Sequence, residues 1–349
     1  GYTEEVVHTI PTVDDIPVKQ PYRKLPLPQF DEVKSHIEEL LQKGIIQHST
    51  SPNASPIVLV RKKNGSLRLC VDYRLLNAKT KKDAYPLPRI DETFDALRGA
   101  SYFTSLDLAA GYNQVAVAPA DREKTAFVTP MGHYEYLRMP FGLSNAPATF
   151  QRLMHKCFGD QLFQILLIFL DDLLIYARTF EEMLDRLETV LLRLRAFGLK
   201  LNPKKCFFLK RKLTYLCHEV SEDGIQADQE KCKAIEEWET PKTLKQLRQF
   251  LGFVGYYRKF VPKFSQVAKE LYELVGAAAN KTPEMFRRMW TPDCETAFQN
   301  LKERLITPPI LGFADFSLPF ILETDASLRR LGAVLSQEQD GEKLSLIHI

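Results

Sequence analysis

Between Gln164 and Ala177 the chain carries an apolar run, Ile165-Leu166-Leu167-Ile168-Phe169-Leu170 and Leu173-Leu174-Ile175-Tyr176, broken at its centre by Asp171-Asp172. Two carboxylates in a low-dielectric setting cost several kcal/mol each unless something neutralises them. The run is too short for a membrane span, and an acid pair at its centre argues against one. Its Leu- and Ile-rich flanks predict a hairpin of two buried strands with the acids at the turn. Carboxylates projected from a rigid sheet edge suit a divalent cation, which takes hard oxygen ligands. A turn that merely joins two core strands would look the same locally, because turns favour Asp. A third acid shifts that balance. Tyr102-Phe103-Thr104-Ser105-Leu106-Asp107-Leu108 is another apolar strand ending in a carboxylate. Three acids on strand ends can hold two metal ions, as in-line nucleotidyl transfer requires.

At 349 residues and 45% hydrophobic content, the chain can build two or more cores. A net charge of +3 does not by itself announce a nucleic-acid binder. The distribution says more: Thr189 to His218 holds no acid and eight bases, namely Arg193, Arg195, Lys200, Lys204, Lys205, Lys210, Arg211 and Lys212. Such a stripe suits a phosphate backbone, and equally a solvated basic face. The six cysteines show no C-x-x-C pairing, which argues against a zinc module or disulfide framework and fits a reducing compartment. No signal peptide or membrane span is legible. A start at Gly1 and a stop at Ile349 read as a piece of a longer polypeptide.

Phe169-Leu170-Asp171-Asp172 resembles the F/Y-x-D-D box of reverse transcriptases, and Asp107 followed by Gly111-Tyr112 resembles their first catalytic motif. Met139-Pro140-Phe141-Gly142-Leu143-Ser144-Asn145-Ala146-Pro147 is similar to a segment of Gypsy-class LTR retrotransposon polymerases. The motifs keep family order from roughly Pro21 to Ser336. The resemblance implies an α+β right-hand polymerase, with fingers, a palm built on an antiparallel sheet and a helical thumb, followed by an incomplete RNase H-like segment. The corresponding division is 1–28 as an extended, Pro-rich lead-in, 29–226 as fingers and palm, 227–311 as thumb and connection, and 312–349 as the RNase H-like start.

The same resemblance implies an RNA-directed DNA polymerase that adds dNTPs to a primer 3′-hydroxyl on an RNA or DNA template. Its catalytic acids are Asp107, Asp171 and Asp172. Two Mg2+ ions, with Mn2+ as a substitute, would be held by Asp107, the Leu108 carbonyl and Asp171. The incoming nucleotide would meet Lys62, Arg68, Ala110, Gly111, Tyr112 as the steric gate, and Phe141. Phe141 stands where retroviral enzymes carry Gln, so packing replaces a side-chain hydrogen bond. Template and primer would meet Arg74, Gln151, the primer-grip turn at Leu216, Cys217 and His218, and Gly252 and Tyr256 of the thumb. The family usually has Gly where Cys217 stands. Asp325 matches the first RNase H acid, but only 25 residues follow Thr324, so no nuclease activity is expected. Such an enzyme would work inside the cell, in a cytoplasmic retrotransposon particle with nuclear access and no membrane partner, as a monomer or homodimer. The alternatives are a catalytically silent template–primer or partner-binding relic, and a metal-dependent RNase H-type nuclease.

Local signals place these residues on elements. Phe30, Val33, Ile37, Leu40 and Leu41 recur at helical spacing before Gly44. Asn64-Gly65 joins two strand-like runs and is a strong hairpin signal. A helix is predicted from Leu87 to Arg98, and another starting at Ser144-Asn145-Ala146-Pro147 with a side-chain cap. Capping boxes at Thr179/Glu182 and Thr243/Gln246 each open a further helix. An Ala-rich linker is expected around Gly276–Lys281, and acids Glu338, Asp340 and Glu342 in a polar turn.

Overall fold

The computed structural model describes residues 1–61, 65, 67–86, 88–306, 310–327, 330–339 and 341–348, with the backbone alone for a few of them, Arg68 and Asp325 included. The chain forms two compact units interleaved in sequence: residues 1–89, 104–175 and 184–207 in one, and 90–103, 176–183 and 208–349 in the other.

In the first unit the lead-in supplies a strand, Thr3–His8, which runs parallel to Val115–Val117. The helix Leu27–Gln42 buries Val33 and Ile37, one turn apart, and ends as expected at Gly44, whose φ of 59° a side chain would strain. Ser55–Arg61 and Leu67–Val71 pair antiparallel from Ile57↔Val71 to Arg61↔Leu67, which is the hairpin that Asn64-Gly65 predicts. With Ile46–His48, Phe127–Thr129 and Gly132–Tyr136 they make a five-stranded sheet. A second sheet brings 104–107, 172–175 and Leu166–Phe169 side by side in that order. The helix Ala146–Phe158 starts where expected, but Asn145 does not cap it. Its side chain instead ties down the preceding loop, donating to the Lys81 carbonyl at 2.9 Å and accepting from the Asp83 amide at 3.1 Å.

Phe180–Ala196 follows the Thr179/Glu182 box, where Thr179 accepts from the Glu182 amide at 3.2 Å. In the second unit Lys212–Tyr215, His218–Ser221 and Gly224–Ala227 form an antiparallel sheet. Leu244–Tyr256 is capped as predicted, Thr243 accepting from the Gln246 amide at 3.2 Å. It shares a core with Lys269–Ala277 and Pro292–Ile306, in which the Phe250 and Phe298 rings lie 4.6 Å apart. The expected linker near Gly276 is part of this core: the helix runs through Ala277, and Ala278 is buried. The helix predicted over 87–98 is confined to Ile90–Asp95, with Leu87 outside the described residues. Near the C-terminus Ile321–Ser327, Arg330–Gln339 and Glu342–His348 form an antiparallel sheet. Glu338 and Glu342 therefore lie in strands rather than in a polar turn, and Asp340 lies outside the described residues. Among the described residues no helix is long and apolar enough to cross a membrane.

Candidate active site

Leu166–Phe169 and Asp172–Ala177 pair from Phe169↔Asp172 to Leu166↔Ile175, leaving Leu170-Asp171 as a two-residue turn. Leu166, Leu167, Ile168, Leu173, Leu174 and Ile175 are all buried. Each contributes about 1.5–3 kcal/mol on burial, which fixes the register and with it the direction of the acids. Leu170 has φ 57°, a value suited to glycine in turns of this kind, so the backbone carries strain beside the carboxylates.

Asp107 ends the neighbouring strand, whose Phe103 and Leu106 are buried. Its carbonyl accepts from the Asn202 amide at 2.8 Å, anchoring the strand end. The Asp172 carboxyl is pushed up to about 6, first by burial, then by the charges of Asp171 and Asp107, with Lys205 opposing. Asp107 and the adjacent pair Asp171-Asp172, more than sixty positions apart in sequence, thus act on one another. Asp107 and Asp171 line a cleft of about 400 Å3 together with Leu108, Ala110, Gly111 and Phe141. Lys205 reaches it too: its ammonium donates to Asp107 Oδ2 at 3.0 Å from a side chain that is 64% exposed. Among the described residues no cation lies within ion-pair distance of Asp171 or Asp172. Nor do any three His, Cys, Asp or Glu side chains there form a ready-made metal cage. An open pair of carboxylates is nevertheless what Mg2+ uses when substrate phosphates and water complete its shell.

The wall of the cleft is built for close approach. Ala110 is left-handed at φ 50°, and a Cβ on Gly111 would stand 3.1 Å from Phe150 Cζ. Tyr112 is nearly buried, stacked on Phe141 at 5.0 Å and 27° and tilted against Phe150 at 5.3 Å. Burial and then the Asp171 charge push its hydroxyl up to about 12, so it stays protonated beside the acids. Phe141 is half exposed. Lys62 lies outside the described residues, and for Arg68 only the backbone, paired with Val60, is described.

The template-facing expectations divide. Arg74 is well exposed and is held by Asp72, Nε to Oδ1 at 2.8 Å and Nη2 to Oδ2 at 2.7 Å. Asp72 also accepts from Arg23 at 2.5 Å, a partner that nothing local in the sequence signals. The two cations, Arg74 foremost, hold its carboxyl far below the usual range. Gln151, expected at the template, is 1% exposed within a helix buried around most of its circumference. The N-terminal strand packs against this helix, with His8 on Thr149. The basic stripe is also partly consumed in ion pairs. Arg193 pairs with Asp160, Lys205 with Asp107, Arg211 with Glu222, and Lys212 with Glu219.

In the second unit Leu216-Cys217 is the two-residue turn of a hairpin closed by Tyr215↔His218. Both residues are left-handed, at φ 47° and 58°, in a turn that usually takes Asn-Gly. Tyr256 and Tyr257 donate to the Leu216 and Cys217 carbonyls, each at 2.9 Å. His218 is buried below this turn. Its ring is 1% exposed among Phe94, Tyr256, Tyr257 and Phe260, with Nδ1 2.7 Å from the Leu216 carbonyl, so it supports the turn from beneath. Gly252 has open space where a Cβ would be, and Tyr256, four residues on, is 42% exposed on the same helix. Asp325 stands opposite Gly332 in the C-terminal sheet, with its side chain outside the described residues.

Residues 60–220 match the family described as reverse transcriptase (RNA-dependent DNA polymerase). Residues 290–349 match the RNase H-like domain found in reverse transcriptase. The chain is 39% identical over 353 residues to the retrovirus-related Pol polyprotein from transposon 297 of Drosophila melanogaster, covering 99% of this chain and 32% of that protein. It is 38% identical over 325 residues to the transposon Tf2-3 polyprotein of Schizosaccharomyces pombe, covering 93% of this chain and 24% of that one. It therefore spans a third or less of these relatives. Among solved structures, the foamy viral protease-reverse transcriptase dRH in complex with ds DNA superposes with a TM-score of 0.90 at 23% identity, over all of this chain and 60% of that one. The foamy viral protease-reverse transcriptase in complex with RNA/DNA hybrid gives 0.85 at 23% identity, over all of this chain and 46% of that one. The fold is accordingly that of a reverse transcriptase with an RNase H-like segment, and the matches at 60–220 and 290–349 are to reverse transcriptase and RNase H-like domains, which transposon Pol polyproteins similar to this chain also carry.

Proposed function

We propose that this chain is the polymerase of a Gypsy-class LTR retrotransposon, extending a primer 3′-hydroxyl with dNTPs on an RNA or DNA template. The observation that carries the reading is the convergence of Asp107 and Asp171 on one cleft beside Tyr112, with the Asp172 carboxyl raised by burial and then by both of their charges. Mutual repulsion of that kind favours divalent cations, and the oxygen donors present suit Mg2+ or Mn2+. Asp107, Asp171 and the Leu108 carbonyl would hold the ions. When bound, they supply the charge neutralisation and Lewis acidity of an in-line displacement.

The chain's own part is largely positional. Asp172 adds negative field behind the two ligands, and the exposed Lys205 neutralises Asp107 until a metal replaces it. Tyr112, fixed between Phe141 and Phe150, presents a rigid ring edge that excludes a ribose 2′-hydroxyl. Phe141 in that stack, and the transposon relatives, support the Gypsy assignment. Six free cysteines support work in a reducing, intracellular compartment.

The test is extension of an oligo(dT) primer on poly(rA) with Mg2+. Wild type should lengthen the primer, and Asp171→Asn should lower the rate by at least about a thousandfold. Duplex binding without extension under any metal would overturn the proposal in favour of a binding-only protein. RNA shortening without DNA synthesis would point to a nuclease.

A further inference from the structure

We propose that Tyr257 is a positioning residue: from the adjoining helix end it clamps the Leu216-Cys217 turn in its left-handed shape, so that the turn meets the primer terminus preset. The inference rests on reading that turn as the primer contact. Two consecutive non-glycine residues at φ 47° and 58° occupy backbone space their side chains disfavour. A free turn of this sequence would relax away from it. What opposes relaxation is a one-to-one pairing, in which successive hydroxyls, Tyr256 and Tyr257, donate to successive carbonyls, Leu216 and Cys217, each at 2.9 Å.

Neighbouring side chains on an unbroken helix diverge by about 100° and could not both reach one turn. Here the helix ends at Tyr256, and Tyr257 has left it at φ −99°. The two rings then meet edge to face, 5.0 Å apart at 89°. Tyr257 is 2% exposed and braced by Phe253 at 5.6 Å, His218 at 5.7 Å and Phe260 at 6.3 Å, so its hydroxyl has a fixed address. His218 adds a second hold on the Leu216 carbonyl from below. The Cys217 side chain is left exposed at the tip.

Tyr257→Phe removes the hydroxyl and keeps the ring. In the full chain it should weaken primer–template affinity, measured by anisotropy without nucleotide, by about tenfold, the worth of one hydrogen bond. The KM for dNTP should not move. Hydrogen exchange at the His218 amide, which closes the turn, should quicken to a similar degree without nucleic acid. Adding Cys217→Gly to Tyr257→Phe should restore affinity to within about twofold, because glycine adopts positive φ unaided. Unchanged exchange and affinity in Tyr257→Phe would overturn the clamp. Faster exchange with unchanged affinity, or a loss that Cys217→Gly does not rescue, would reduce Tyr257 to packing and overturn the positioning role. Should wild type bind no duplex at all, the reading of the turn as a primer contact fails, while the exchange measurement still decides whether the clamp exists.

Discussion

Burial and the charges of Asp171 and Asp107 hold the Asp172 carboxyl up at about 6. The folded chain therefore binds more protons than the unfolded one between about pH 4 and 6, and stability falls as pH rises through that window. Asp172→Asn removes this penalty. In chelator at pH 8 the variant should be about 1–2 kcal/mol more stable than wild type by urea unfolding, after discounting for partial exposure, with the gap closing near pH 4. Equal stabilities at pH 8 would show that neither burial nor the neighbouring acids penalise the Asp172 charge. Such residue-level features were legible only in part. An acid pair inside an apolar run is conspicuous because it is locally costly, and the hairpin lies where that cost predicts. Lys205 on Asp107 and Arg23 on Asp72 left no trace, since each joins a residue 98 or 49 positions away through charge alone. The burial of Gln151 was not legible either, because the strand Thr3–His8 that packs on its helix lies over a hundred residues away in sequence.

Among elements, the N-terminal strand Thr3–His8 is secured by a buried histidine. His8 is fully inaccessible, with Nδ1 2.8 Å from Thr149 Oγ1 of the helix Ala146–Phe158. Burial lowers its pKa from 6.5 to about 4, so the ring is neutral in the fold. Between those values the unfolded chain binds the extra proton, and stability is lost as pH falls through that window. The full loss approaches about 3 kcal/mol near pH 4. His8→Asn should flatten this limb of a urea-midpoint profile taken in the Asp172→Asn background, which lacks the opposing Asp172 slope, and a midpoint level from pH 7 to 4 in that background with His8 intact would refute the assignment. Elements whose signals are local came out as read: both capping boxes and the Asn64-Gly65 hairpin depend on residues within four positions of one another. The Ile90–Asp95 helix fell short of its predicted span because weak periodicity cannot fix an end. The N-terminal strand had no such signal, as its partner Val115–Val117 lies over a hundred residues away.

At the scale of the whole molecule, neither compact unit is continuous in sequence. The unit that includes 208–349 also contains 90–103, whose Phe94 sits 4.8 Å from the His218 ring and 6.4 Å from that of Tyr215. A fragment of 208–349 alone lacks that ring and leaves the base of the turn uncovered. It should bind a hydrophobic dye and show weak near-ultraviolet dichroism, unlike the full chain. A fragment with sharp, cooperative melting would show that the contribution of 90–103 is dispensable. Nothing in composition foretold this interleaving, because proximity between distant segments has no periodicity of its own.

That interleaving bears on how related copies can exchange sequence. A single crossover between residues 90 and 207 leaves both units of mixed parentage, since each draws segments from either side of it. Chimeras joined at one such point inherit mismatched halves of two cores at once. Viable hybrids should therefore be enriched for patchwork exchanges whose junctions coincide with the unit boundaries.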